Sequence, residues 1–385
     1  MLNSPLFLPD RPEWRFEPDY SLTASAALRE AYTLLAHASA HASSQAVPWS
    51  QVHETLSPVV TQRMSRPQHR NVYFLLGMTQ ASLNRYDEAL ASLENACALS
   101  VELEDVTAIA DISFLCGCLT RDQLHLSTAT HYFEVSVTAF AQLPDPFQPE
   151  SADKAFNTWI QLAFVSFYQA HFDETATHLE KARQLLPRTS LQSQGRADIQ
   201  WIEALLSRWR GDRENGLRQA QAFAEVIAQQ AAPPTVVRAW LLVADLALDC
   251  AESFLPDMRR ATTPFVTLAT PYIRDALSLA RSAQDFAGLG LALLADARLS
   301  RVEGRDSPRV ETIEHVFDMA RQIGDIALLA QAHTALGDEF RFAGEKDAAV
   351  ACYRTSLAAL EPSDITALGV WPRQAMLRLV NANDD

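Results

Sequence analysis

Residues 71–99 read NVYFLLGMTQASL-NR-YDEALASLENACAL, and this stretch decides the fold. In its second half Tyr86, Ala89, Leu90, Leu93, Ala96 and Cys97 recur at i, i+3, i+4 and i+7, while Asp87, Glu88, Ser92 and Glu94 fall on the other side. That is the stripe of an amphipathic helix. The first half places Val72, Leu75, Leu76 and Thr79 at the same spacing. Asn84-Arg85 between the two is too short a link for anything but an antiparallel helical hairpin.

The same unit recurs along the chain. The periodicity predicts pairs at 21–42 with 48–64, 68–84 with 86–101, 107–123 with 126–142, 153–170 with 172–186, 193–210 with 213–230, 235–251 with 264–283, 286–303 with 309–323, and 326–343 with 346–360. A short helix at 370–381 would cap the stack. Turn residues stand between the segments, among them Pro144-Asp-Pro146, Pro187, Gly211-Asp212, Pro233-Pro234, Gly324-Asp325, Gly344 and Pro362. The expected organisation is an extended segment over 1–20, then one helical-repeat domain over 21–385 with an exposed loop at 251–265. Few glycines, abundant Ala and Leu, and little period-two alternation make the fold class all-α.

Leu336-Gly337, Phe340, Gly344, Ala349 and Tyr353 carry the small-and-large pattern that resembles the tetratricopeptide repeat, as do Leu76-Gly77, Tyr86, Ala89, Leu93 and Ala96. Trp159, Leu162, Phe172, Leu179, Ala182 and Pro187 follow it with Thr175 in the place of the small alanine. Gly117, Ala129, Phe133 and Ser136, and Ala204, Gly211, Gly216 and Ala220, are poorer copies, with Arg213 where the repeat has an aromatic. The resemblance implies an α-solenoid of about eight hairpins wound as a right-handed superhelix. Ala89, Ala129, Thr175 and Gly216 lie 40, 46 and 41 residues apart, longer than the ~34 of the family. Repeats of this length are similar to the sensor and interaction regions of bacterial signalling regulators.

Charge and motif content narrow the function. Against 47 Asp+Glu stand 32 Lys+Arg, a formal net of -15, which repels phosphate backbones and anionic lipid. Neither nucleic acid nor membrane is expected as a partner, and no stretch reads as a membrane span or secretory leader, so the expected location is the cytoplasm. Only Lys154, Lys181 and Lys346 are lysines, an arginine bias that fits a GC-rich bacterial coding sequence. Cys97, Cys116, Cys118, Cys250 and Cys352 read as reduced residues. No phosphate-binding loop, H-E-x-x-H, G-x-S-x-G or C-x-x-C occurs. Gly288-Leu-Gly290 lacks a preceding strand and reads as helix packing. His37 and His41 share the spacing of a helical metal pair but have no third ligand, and Glu102, Glu104 and Asp105 read as a solvated turn. No catalytic residue, metal site or cofactor is expected.

What remains is a binding surface. In a stacked array the first helix of each hairpin builds the inner wall. Aligning the hairpins by their turns puts Arg121, Arg208, Arg301 and Arg341 at one wall position of four repeats, a basic stripe that would steer an acidic partner. The neighbouring helices 153–170 and 193–210 put Asn157, Phe164, Phe167, Tyr168, Trp201, Leu205, Arg208 and Trp209 toward the same wall, the residue types of a protein-binding hot spot. Chaperone adaptors of the resembled family grip a peptide carboxylate with Lys, Arg and Asn. Here the matching positions read Asn71, Asp111, Asn157 and Asp198, then Leu75, Leu115, Gln161 and Ile202, so no such clamp is expected. The expected function is a non-enzymatic adaptor or sensor that binds a protein or peptide in its groove. The alternatives are a structural subunit or homodimer using its ends and convex face and, more distantly, a small-molecule enzyme.

Overall fold

The structure, a computed structural model, describes residues 49–61, 64–143, 149–253, 259–305 and 308–381. Among them every regular element is a helix. α1 (Trp49–Leu56) leads through a 3-10 turn to α2 (Arg66–Ser82) and α3 (Tyr86–Glu102), the first complete hairpin. The pairs α4 (Val106–Asp122) and α5 (Leu126–Ala141), α6 (Pro149–Tyr168) and α7 (Phe172–Leu185), and α8 (Gln192–Arg210) and α9 (Arg213–Gln230) follow. Then come α10 (Pro233–Glu252) and α11 (Arg259–Ser282), α12 (Phe286–Glu303) and α13 (Arg309–Ile323), and α14 (Ile326–Ala343) and α15 (Lys346–Leu360). α16 (Val370–Asn381) closes the array. The expected all-α array of tandem hairpins is the one observed. The segment 1–20, the helix at 21–42, His37, His41 and Pro144-Asp-Pro146 lie outside the described residues.

The loop expected over 251–265 is shorter than the sequence suggests. α10 runs to Glu252 and α11 already begins at Arg259, with Pro264 and Pro271 inside it. Each of those prolines removes one backbone donor, but packing along α10 holds the helix together across them. Ser92, expected on the solvated side of α3, is buried and donates to Gln80 Oε1 at 2.7 Å.

Most junctions share one design. One or two residues past the helix end the backbone takes a positive φ, as at Asn84 (61°), Leu124 (65°), Ala170 (64°) and Gly344 (83°). The next backbone N–H then returns to a carbonyl in the last turn: Arg85 to Gln80 at 2.9 Å, His171 to Ser166 at 2.8 Å, Asp325 to Ala320 at 3.0 Å. These bonds satisfy carbonyls that the helix end leaves open. Asp105, Asp285 and Asp325 cap the following helix by accepting from Ala108, Gly288 and Leu328 N–H.

Small residues set the spacing within hairpins. A Cβ on Gly117 would lie 2.5 Å from the Phe133 ring, and one on Gly337 would lie 2.6 Å from the Tyr353 ring. Both rings are fully buried. The close approach of first and second helix therefore depends on the missing side chain.

The described residues fall into two compact units. The first holds those up to Leu162 together with Arg188–Ser190, and its core joins Val52, Leu56, Val72, Phe74, Leu76, Leu93 and Ile112. The second holds Ala163–Pro187 and everything from Leu191 onward, with one core cluster around Ile313, Val316, Phe317 and Leu328 and another around Tyr353 and Ala375. The boundary falls inside α6.

Candidate functional site

Within the second unit, the end of α6, the start of α7 and helix α8 bring most of the aromatic residues singled out by the sequence into one cluster. Phe164 lies 4.7 Å from Tyr168 and 5.4 Å from Trp201, and Phe167 lies 5.5 Å from Tyr168. Two rings that the sequence reading missed complete it. Phe172 stacks on Trp209 at 4.4 Å and meets Phe167 at 5.6 Å, while Phe223 stacks on Trp201 at 5.8 Å. The cluster has a closed side and an open side. Phe164 (0% exposed) and Trp201 (5%) are core residues, which corrects their placing on an accessible surface: the helices lie too close for their rings to reach solvent. Phe167, Tyr168 and Leu205 are half-buried, and Trp209 is 36% exposed. Trp209, Arg210 and the α6–α7 turn from Ala170 to Glu174 line a shallow cleft of about 450 Å³. Burial pushes the Tyr168 phenol up to about 12, against the opposing charge of Arg238, so its hydroxyl stays neutral. Asn157 belongs to the first unit. It is 7% exposed, and its side-chain oxygen has no partner among the described residues.

Next to Leu205, Arg208 starts a ladder of ion pairs that crosses the first helices of successive hairpins. From α8 it bonds Asp249 of α10 at 2.7 Å and approaches Asp245 at 3.3 Å. Arg298 of α12 reaches Asp249 and also Glu252, the latter at 2.8 Å. Arg301 joins Glu252 at 3.0 Å to Glu339 of α14 at 2.6 Å, and Arg309 closes on Glu339 at 2.8 Å. Burial disfavours the charged form of Asp249, but Arg208 and Arg298 outweigh it and hold the acid at about 2. Glu252 is likewise held at about 2 by Arg298 and Arg301 against its burial.

This ladder corrects the basic stripe. Arg208 and Arg301 are paired with carboxylates of neighbouring helices, Arg341 faces Asp338 at 3.5 Å, and Arg121 in the first unit bonds Asp122 and, at 2.5 Å, Gln161. Four arginines (208, 298, 301, 309) meet four acids (245, 249, 252, 339), so the ladder is neutral. Its signal was present in the sequence: Asp245, Asp249 and Glu252 share one face of α10 at i, i+4 and i+7.

The other candidates have structural partners. Arg66 pairs with Glu102 at 3.3 Å, and Asp105 pairs with Arg70 while capping α4. The five cysteines carry no disulfide, and Cys97 lies 3.8 Å from the Ser113 hydroxyl. Among the described residues no group of three His, Cys, Asp or Glu could hold a metal ion, and no helix is long and apolar enough to cross a membrane.

Comparison with known proteins agrees with the architecture. The family model "Tetratricopeptide repeat" matches residues 71–100. No curated protein matches the chain. Among solved structures, the apo form of the quorum sensor NprR from B. thuringiensis is similar, with 13% identity and a TM-score of 0.63 over 87% of this chain and 86% of that one. Aspartyl phosphate phosphatase F from Bacillus subtilis gives 12% identity and a TM-score of 0.62, over 88% and 84% of the two chains. The Rap conjugation gene regulator of the plasmid pLS20, solved in complex with the Phr* peptide, gives 11% and 0.52, over 88% and 87%. Likeness at these identities is likeness of fold.

Proposed function

We propose that this chain, a tetratricopeptide-repeat protein, is a regulator that captures an extended peptide, or a peptide-like segment of a partner protein, on the wall formed by α6, α8, α10 and α12. The observation that carries the reading is the open side of the ring cluster, Phe167, Tyr168, Leu205 and Trp209, running directly into the neutral ladder that begins at Arg208. Rigid rings bury much area at little entropic cost, and partly exposed Trp, Tyr and Arg are what hot spots use. A neutral ladder does not select by net charge, so the anchor of the ligand is apolar or aromatic, with polar groups of both signs beside it. One similar fold supports a peptide ligand: the Rap conjugation gene regulator was solved in complex with a peptide.

The test is selection of peptides from a random library on the purified chain, followed by calorimetry on the best binder. Leu205→Ala and Trp209→Ala should each weaken it at least 10-fold, as loss of a hot-spot side chain does. Val101→Ala, at an exposed site in the first unit, should leave it unchanged. Peptides that bind equally well to all three variants would place the site elsewhere.

A further inference from the structure

The ladder ends on α14 at Glu339, and two residues further on the pairing changes. Arg341 faces one carboxylate among the described residues, Asp338 at 3.5 Å. That carboxylate is already shared, because it accepts from the Tyr353 hydroxyl at 2.6 Å and from the Trp371 indole N–H at 3.3 Å. Arg301, one hairpin earlier, instead holds an acid on each terminal nitrogen, at 3.0 and 2.6 Å. Arg341 therefore keeps donors to spare. Its Nε is shielded from solvent and has no hydrogen-bond partner among the described residues.

A second arginine meets the same ring. The Arg341 and Arg378 guanidinium carbons lie 5.7 and 5.8 Å from the Trp371 centroid, and Arg341 also lies 4.5 Å from that of Phe342. Phe342, Trp371 and Arg378 are exposed. Stacking on a ring orients a guanidinium without using up its N–H donors. Two arginines near one indole thus stand against one acid, and that acid is engaged by three donors. The planar fork of arginine matches a carboxylate bidentately. A single excess charge suits a single carboxylate, whereas the net charge of -15 repels a polyanion.

Position along the wall sets a length. From Trp209 to Arg341 the path crosses α8, α10, α12 and α14, all in the second unit. At the usual spacing of packed helices that is on the order of 30 Å. An extended chain covers it with about nine residues.

We propose that Arg341 and Arg378, with Trp371 and Phe342 as their platform, form a carboxylate subsite for the far end of the peptide. The subsite rests on the reading that a peptide binds this wall, and it adds a specificity. The ligand carries a carboxylate, from an acidic side chain or from its own terminus, about nine residues from its aromatic or apolar anchor.

The experiment takes the best binder from the selection above in three forms: as selected, with Asp and Glu changed to Asn and Gln, and with its C-terminus amidated. Calorimetry compares the full-length wild type with the variant Arg341→Gln/Arg378→Gln. The variant should bind the selected peptide at least 10-fold more weakly. One of the two neutralised forms should lose as much on the wild type and lose nothing further on the variant, which identifies the source of the carboxylate. Arg378→Gln alone, at an exposed position, keeps the test open if the change at Arg341 disturbs folding, and should cost at least 3-fold. Equal binding to wild type and variants, or losses that simply multiply, overturns the subsite, while the effects of Leu205→Ala and Trp209→Ala still support the reading beneath it. Selection that yields no peptide sinks that reading, and the subsite then stands or falls on a small probe. N-acetylphenylalaninate should shift the Trp371 indole N–H resonance, assigned with Trp371→Phe, at least 5-fold more than the neutral N-acetylphenylalaninamide does. Equal shifts from the two probes would overturn it.

Discussion

Gly337 and Ala170 show how much single backbone positions contribute here. The Tyr353 ring fills the space where a Cβ at residue 337 would sit, and the ring is pinned by its hydroxyl donating to Asp338 at 2.6 Å. Gly337→Ala should therefore destabilise by about 1–2 kcal/mol, the overpacking penalty exceeding the ~1 kcal/mol of helix propensity that alanine gains. A rise in thermal midpoint would show that the contact is loose. Ala170 poses the opposite case, because it holds a φ of 64° that an L residue adopts at a cost. Ala170→Gly should stabilise by roughly 0.5–1 kcal/mol, read from the denaturation midpoint.

Between helices the relevant contacts are the hairpin seam and the ladder. Ala89 is fully buried, and its carbonyl oxygen lies 3.1 Å from where a Cβ on Gly77 of α2 would stand. Ala89→Leu should cost about 1–3 kcal/mol in thermal unfolding, and an unchanged midpoint would contradict the register of the pair. The ladder has a pH signature. Asp249 and Glu252 are held at about 2, below the ordinary carboxylate range. Their contribution is complete above about pH 5.5, where both are ionised folded or unfolded, and is lost as pH falls toward 2. It amounts to about 2 kcal/mol for Asp249 and about 3 kcal/mol for Glu252. Exchange protection of α10 and α12 should fall over that window, and Asp249→Asn should flatten part of the decline.

On the scale of the whole molecule, an array of repeats passes stability mainly between neighbours. Arg298 bonds Asp249 and Glu252 while lying 18% exposed, so Arg298→Ala leaves two acids without their shared partner. The loss should be about 2–4 kcal/mol, reduced from the fully buried case by residual solvent. Limited proteolysis should then cut within α10–α13 while α2–α5 remain protected. Uniform loss of protection along the chain would mean that the repeats unfold as one body.

Helix type, hairpin pairing and the positions of the small residues were legible in the sequence, because each depends on neighbours within some forty residues: Gly77 with Ala89, Asn84 at its turn, Tyr353 behind Gly337. The wall was only half legible. Periodicity told which face Phe164 and Trp201 occupy, but the distance between neighbouring helices decided that they are buried while Trp209 and Tyr168 stay partly open. The arginines showed the same limit. Their recurrence at one position read as a basic stripe, since a helical pattern reports direction and not what stands opposite. Asp245, Asp249 and Glu252 lie 37 to 53 residues from the arginines they pair with, Arg208 and Arg298. Only the stacking of one hairpin on the next turned a cationic pattern into a neutral ladder.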